Sequence, residues 1–296
     1  MTEPYELHDE PELDSPVVVT MLTGWIDAGG AGQMAMTVLE EEWSARPIAT
    51  FDADTFIDYR ARRPIMELRD GVNTNLAWPS ISLKAARDGA ERDVLLLTGH
   101  EPDAAWLRFV DVATELCAGF GARMMVGLGA YPFAAPHTRP SRLSVSCGSE
   151  EVAATVPYLK NSVDVPAGVE AALEHGFTAR GIPALGLWAQ VPHYVSASAY
   201  PQASMALLGA LREVAGLHVE ADLLREEADR HGRRLDELIA SNDEHLAVLR
   251  QLEQAYDEEA AAGELSGTSL PFTDSDIPTG DELAAELERF LRDQGR

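Results

Sequence analysis

PVVVTMLTGWIDAGGAGQMAMTVLEEEW, residues Pro16 to Trp43, decides the fold. It opens with a continuous apolar, β-branched run, the pattern of a buried strand. It closes, from Gly30 to Trp43, with helical spacing that puts Met34, Val38 and Leu39 on one face. Between them lies GWIDAGGAG, Gly24 to Gly32. A strand, a glycine turn and a helix is the layout of a phosphate cradle, but two familiar cradles do not fit. A P-loop needs GxxxxGK followed by Ser or Thr, and no lysine precedes Lys84. A dinucleotide fingerprint needs GxGxxG, whereas these glycines fall at 24, 29, 30 and 32. Gly29 and Gly30 are expected to supply positive φ and a close strand–helix approach. Asp27 is expected to cap the helix or accept N–H bonds at its start. The stretch reads as a tight corner with a cap.

The same alternation continues outward. ATFDADTFIDY reads as a second strand, and the segment from Arg60 to Pro79 as irregular, with edge strands near Ile65 and Leu76. DVLLLTG (Asp93 to Gly99), ARMMVGLGA, SRLSVSCG and ALGLWAQVP read as further strands. Helices are expected from Pro102 to about Ala118, from Pro166 to His175 with Gly176 as the stop, and from Pro201 to Ala215. Such βα alternation predicts an α/β fold: a three-layer sandwich with a mainly parallel or mixed sheet covered by helices. The core takes residues 1–217, with an acidic N-terminal tail over 1–15. Residues 218–262 predict an acidic helical hairpin or bent helix, 263–280 a linker, and 281–296 a terminal amphipathic helix. That last helix starts at a capping box, Thr279-Gly-Asp-Glu282, and aligns Leu283, Leu287, Phe290 and Leu291 on one face, which either docks on its own domain, as such stripes usually do, or supplies candidate contacts for a partner.

Composition excludes several functions. The 296 residues carry 49 acids against 23 basic side chains, a formal net charge of −26. Such a surface repels nucleic-acid phosphates and anionic lipid. No apolar run approaches the roughly 20 residues that cross a bilayer, and the first 16 residues lack the apolar centre of a signal peptide. Two cysteines are too few for a disulfide framework or a zinc site. A cytoplasmic protein is expected, with neither nucleic acid nor membrane as partner.

Polar residues cluster where strands end. TGHEPDAAW, GLGAYPFAAPHTRP and QVPHYVSASAYP each follow a predicted strand. In open α/β sheets, ligands bind beyond the carboxyl ends of strands. Asp27, Gly29, Gly30, His100, Glu101, Tyr131, His137, His193 and Tyr194 are therefore candidates to line one cleft. None has ligand spacing such as HxxxH or HExxH, so no metal and no cofactor is assigned. No GxSxG elbow appears, and Cys147 in Ser-Cys-Gly is expected to pack rather than react, so no catalytic residue is assigned either.

Four motifs in order, GWIDAGGAG, TGHEPDAAW, GLGAYPFAAPHTRP and VPHYVSASAYPQAS, resemble the proteasome assembly chaperone 2 family, in its actinobacterial branch. The resemblance spans about Pro16 to Ala215, and the acidic helical tail is similar as well. It implies a phosphorylase/hydrolase-like α/β sandwich. It also implies a non-enzymatic protein-interaction factor, since relatives act on proteasome α-subunits and tend to form homo-oligomers. Some relatives dock through a C-terminal hydrophobic-Tyr-any motif; this sequence ends FLRDQGR, without that tyrosine, so that docking mode is not expected here. The alternative is a small-molecule hydrolase or nucleoside- or nucleotide-processing enzyme. Its site would use Asp27, His100, Glu101, His137 and His193.

Overall fold

The computed structural model describes residues 3–262 and 266–267. The chain runs through β1 (Tyr5–Leu7), β2 (Val17–Thr23), α1 (Ala31–Glu42), β3 (Arg46–Phe51) and α2 (Ala53–Phe56). A hairpin follows, β4 (Ile65–Arg69) and β5 (Val72–Ala77), then β6 (Ile81–Arg87), β7 (Asp93–His100), α3 (Trp106–Gly119) and β8 (Met124–Phe133). Next come β9 (Leu143–Cys147), α4 (Glu150–Thr155), β10 (Lys160–Asn161), α5 (Val169–Ala179), β11 (Ala184–Pro192) and α6 (Pro201–Ala215). Helices α7 (Asp222–Ala240) and α8 (Asp243–Ala262) form a hairpin, and β12 (Ser266–Gly267) pairs in parallel with β10. The expected contact residues Leu283, Leu287, Phe290 and Leu291 lie outside the described residues.

Eight strands make one mixed sheet in the order β1-β3-β6-β7-β2-β8-β11-β9. The four central strands β7, β2, β8 and β11 are parallel, and both edges are antiparallel. Burial on both faces explains the unbroken apolar run of β2: Val17 and Val19 pack into one core, Val18 into the other. Helices α1, α6 and α7 close the first core, and α3 and α5 close the second. The expected three-layer sandwich with a helical appendage is the observed fold.

Local boundaries differ from the sequence reading, and three of the differences have a plain physical cause. ATFDADTFIDY is not one strand, because Asp52 begins a helical turn whose Phe56 is buried against Phe51 and Phe109. The helix after Pro102 begins only at Trp106, after Ala105 adopts φ 56°. Helix α5 does not stop at Gly176 but runs to Ala179. Gly176 is there for packing, since a Cβ on it would stand 2.5 Å from Val110 Cγ1 of α3.

Candidate functional site

The corner at Gly24–Gly32 uses its own carboxylate. Gly29 and Gly30 take φ 64° and 58°. Gly29 donates its N–H to Ser196 O at 2.7 Å and accepts from Tyr200 N at 3.0 Å, so strand-end and helix-start loops are pinned together. A Cβ on Gly29 would meet Tyr200 Cβ at 2.7 Å, whereas Gly30 has open space and needs only its backbone freedom. Asp27 Oδ1 accepts the Gly32 N–H at 2.8 Å and Oδ2 the Gln33 N–H at 3.0 Å. The helix-start donors that would bind a phosphate are thus taken by Asp27. Burial raises the pKa of Asp27, and those N–H groups hold it down. Asp27→Ala is expected to cost about 1–2 kcal/mol, as for lost helix caps, with Asp27→Asn losing less. Urea denaturation of both variants checks this; an unchanged midpoint for Asp27→Ala would show that the cap contributes nothing.

A group of acids lies behind this corner. Glu101 follows β7, is almost fully buried, and accepts the Val169 N–H at 2.5 Å, capping the first turn of α5. Glu170 and Glu174 stand one turn apart on α5 and face the sheet, where β8 and β11 carry glycines. A Cβ on Gly127 would come within 2.0 Å of Glu170 Oε1, and one on Gly186 within 2.8 Å of Oε1 of both glutamates. The two glycines therefore make the room that the carboxylates fill. Glu174, only 4% exposed, accepts from Ser146 Oγ at 2.6 Å, and Ser146 accepts from Trp188 Nε1 at 2.9 Å. Burial pushes Glu174 up to about 7, partly offset by the Ser146 hydroxyl. Burial, then Glu174, Asp27 and Glu101, push Glu170 well above the usual carboxylate range. Glu170 is intermediate in exposure as a residue, yet its Oε1 is sealed from solvent and has no hydrogen-bond partner. It lines a cavity of about 20 Å³ with Trp25, Ile26, Glu101, Gly168 and Trp188.

The predicted cleft residues divide into two sets. Asp27 and Glu101 belong to the acid group. His100 sits beside Glu101, 2.9 Å from Thr23 Oγ1, and burial and then Arg62 lower its pKa. Tyr131 lies further along the same face of β8, where its hydroxyl receives bonds from Gln190 Nε2 at 3.1 Å and Ser144 Oγ at 3.2 Å. His137, His193 and Tyr194 lie elsewhere, against the helical hairpin. The Tyr194 hydroxyl accepts the His137 N–H at 2.8 Å, and His137 Nε2 is 3.2 Å from Asp236 Oδ1 on α7. Arg139 pairs with Glu253 and Asp257, and Arg142 with Glu259, on α8. Arg142 also lies over the Tyr256 ring, 3.8 Å from its centroid. The loop after β8 is thus the seat of the α7–α8 hairpin. His193 and Tyr194 instead edge an open cavity of about 660 Å³ floored by Leu235, Leu238, Val248 and Leu249.

Among the described residues, no hydrogen bond joins the two sets, and no three His, Cys, Asp or Glu side chains are placed to hold a metal ion. Burial raises Cys117 to about 12 and Cys147 to about 11, so neither is a ready thiolate. Sequence reading overlooks Glu170, Glu174, Ser146, Trp25 and Trp188. The available signal is the i, i+4 pair of glutamates flanking the buried stripe Val169, Leu173 and Phe177.

Fold and site together define a three-layer α/β protein with buried acid at its strand ends and a charged helical hairpin strapped to one loop. The PAC2 family model matches residues 21–239, and the chain belongs to the PAC2 family. Among solved structures, a Corynebacterium glutamicum protein of unknown function is 32% identical, with TM-score 0.81, over 87% of this chain and 98% of its own. A Mycobacterium tuberculosis protein of unknown function is 33% identical, with TM-score 0.81, over 89% and 92%. A M. tuberculosis proteasome-assembly chaperone homologue is 33% identical, with TM-score 0.73, over 80% and 99%. No curated protein matches the chain. The resemblance carried by the four motifs is borne out. Among the described residues, no helix is long and apolar enough to cross a membrane.

Proposed function

We propose that the chain is a non-enzymatic, cytoplasmic protein-interaction factor that works as an assembly chaperone on proteasome α-subunits, itself as a homo-oligomer. The observation that carries this reading is the open groove between the hairpin and the segment after β11. Its floor is apolar, with Leu238 58% and Val248 48% exposed. Its rim holds one fixed cation, Arg234, beside His193, His231 and His245, and burial lowers the pKa of His231. An apolar helix or strand of a partner, with an acidic side chain placed to meet Arg234, complements that surface. The β4–β5 arm supports the same class of function, because Ile65, Met66, Leu68 and Val72 are all more than half exposed. Membership of the PAC2 family and the likeness to a chaperone homologue supply the choice of partner. Leu283, Leu287, Phe290 and Leu291 are kept as a second proposed contact. The enzymatic alternative is less well supported, since among the described residues no hydrogen bond joins His137 or His193 to Asp27, His100 or Glu101.

The test is capture of purified α-type proteasome subunits by the full chain at physiological salt. Wild type is expected to retain them, and Leu238→Asp with Val248→Asp is expected to lose them while keeping its melting temperature. No complex with wild type would overturn the choice of partner. Capture unaffected by the double variant would move the contact away from the groove.

A further inference from the structure

We propose that the groove between α7 and α8 is covered by the chain's own C-terminal segment, residues 281–296, laid in as a third helix. The hairpin leaves one side unfinished. Leu235, Leu238 and Ile239 of α7 and Val248 and Leu249 of α8 line a cavity of about 660 Å³. Leu238 and Val248 belong to neither core, and each is roughly half exposed. An apolar groove between two helices takes a third amphipathic helix, ridges into groove. Residues 281–296, which lie outside the described residues, carry the matching pattern in Leu283, Leu287, Phe290 and Leu291.

Charge and tether select this occupant. Arg234 on the rim is exposed and has no salt-bridge partner among the described residues. At 3.6 residues per turn, Glu286 and Asp293 flank the apolar stripe, whereas Arg289, Arg292 and Arg296 fall behind it. An acidic flank thus meets Arg234 while the basic side faces water. The tether is long enough. Arg142, just before β9, pairs with Glu259 near the end of α8, and Leu159, just before β10, bridges to Ser144 of β9. Gly267, paired with β10, therefore lies toward the C-terminal end of α8. From Ala262 back to Leu249 is about 20 Å of helix, and residues 268–280 extend to about 43 Å. A linker that spans its site gives a local concentration on the order of millimolar. A second copy has no such advantage and brings another net charge of −26. The docking concerns this chain alone; its consequence, that an α-subunit must displace the helix, rests on the function proposed above.

The experiment uses the full chain with Val248→Cys as reporter. Its reaction with a maleimide is timed, and the background of Cys117 and Cys147 is measured on wild type. Leu287→Asp with Phe290→Asp should speed labelling about ten-fold, the loss of ~1.4 kcal/mol of docking. Arg234→Glu should speed it less, and adding Glu286→Arg should slow it again. Leu223→Cys, exposed on α7 but outside the groove, is the control and should label at one rate in every background. Labelling of Val248→Cys that the paired aspartates leave unchanged would overturn the docking. Protection that grows with protein concentration would overturn it too, by assigning the groove to a second copy. Capture of α-subunits is read separately, and the paired aspartates should strengthen it. Faster labelling with unchanged capture keeps the docked helix and fails only the groove as the α-subunit contact. Weaker capture with unchanged labelling gives the stripe to the partner and overturns the docking.

Discussion

Gly99→Ala should destabilise the protein by about 4 kcal/mol, the sum of backbone strain at positive φ and overpacking against main chain. For a domain of this size that corresponds to a fall in Tm of about 10 °C. Gly99 has φ 127°, a conformation that side chains rarely adopt. A Cβ there would stand 2.1 Å from Ser80 O and 2.9 Å from Ile81 Cα. Both atoms are backbone, and Ile81 is the partner of Gly99 in the β6–β7 ladder, so neither can swing away. Relief requires the end of β7 to part from β6. The next residues are His100 and Glu101, so the cap on α5 should loosen with it. Hydrogen exchange at the Val169 amide, which Glu101 accepts at 2.5 Å, is expected to accelerate. Gly121→Ala is the control. Gly121 also has positive φ, at 76°, but a Cβ would meet nothing within 4 Å, so it should cost only about 1 kcal/mol. Equal losses at the two glycines would show that φ alone, and not the close approach to Ser80, sets the requirement.

This contrast marks what a linear reading reaches. The buried strands β2, β7, β8 and β11 are legible because each is an apolar run bounded by glycine or proline, and their order with helices between them gives the parallel centre. Strand β6 was equally readable in principle: Ile81, Leu83 and Ala85 are buried at period two, with less buried Ser82 and Lys84 between them. The short edge strand β1, three residues long, is held by pairing with β3 and carries no pattern of its own. The corner at Gly24–Gly32 reads correctly because its chemistry is local, with Asp27 bonding residues five and six places on. His137 misleads for the opposite reason. As a histidine in a strand-end loop it resembles a ligand, while the acid it faces, Asp236, is 99 residues away on α7. Glu170 and Glu174 are harder still. On a helix with polar and apolar faces they pass for solvated acids. Only pairing β8 beside β11 reveals that Gly127 and Gly186 open a space for them.

The second large effect follows from that space. Glu174→Gln should be more stable than wild type at pH 8 by about 3 kcal/mol, and the difference should vanish near pH 4.5. Burial raises the folded pKa of Glu174 to about 7 from the ordinary glutamate value of 4.5. Between those values the unfolded chain gives up its proton while the folded protein keeps it. The folded state then binds more protons than the unfolded, so stability falls as pH rises through this window and levels off above it. Glu170 has the same sign, because burial and its acidic neighbours also raise its pKa. Groups such as Asp88, where burial raises the pKa but the Arg92 guanidinium and nearby N–H groups together lower it by more, act the other way, stabilising above the unfolded carboxylate range and losing that contribution in acid. Subtracting the variant from wild type at each pH cancels Asp88, while Glu170, whose pKa the Glu174 charge raises, stays in the difference with the same sign. Urea denaturation from pH 4.5 to pH 8 measures the difference directly. A difference that stays constant over that range would mean that Glu174 ionises as it does in the unfolded chain. The carboxylate packed against Gly186 would then be solvated well enough in the folded protein to carry its charge at no extra cost.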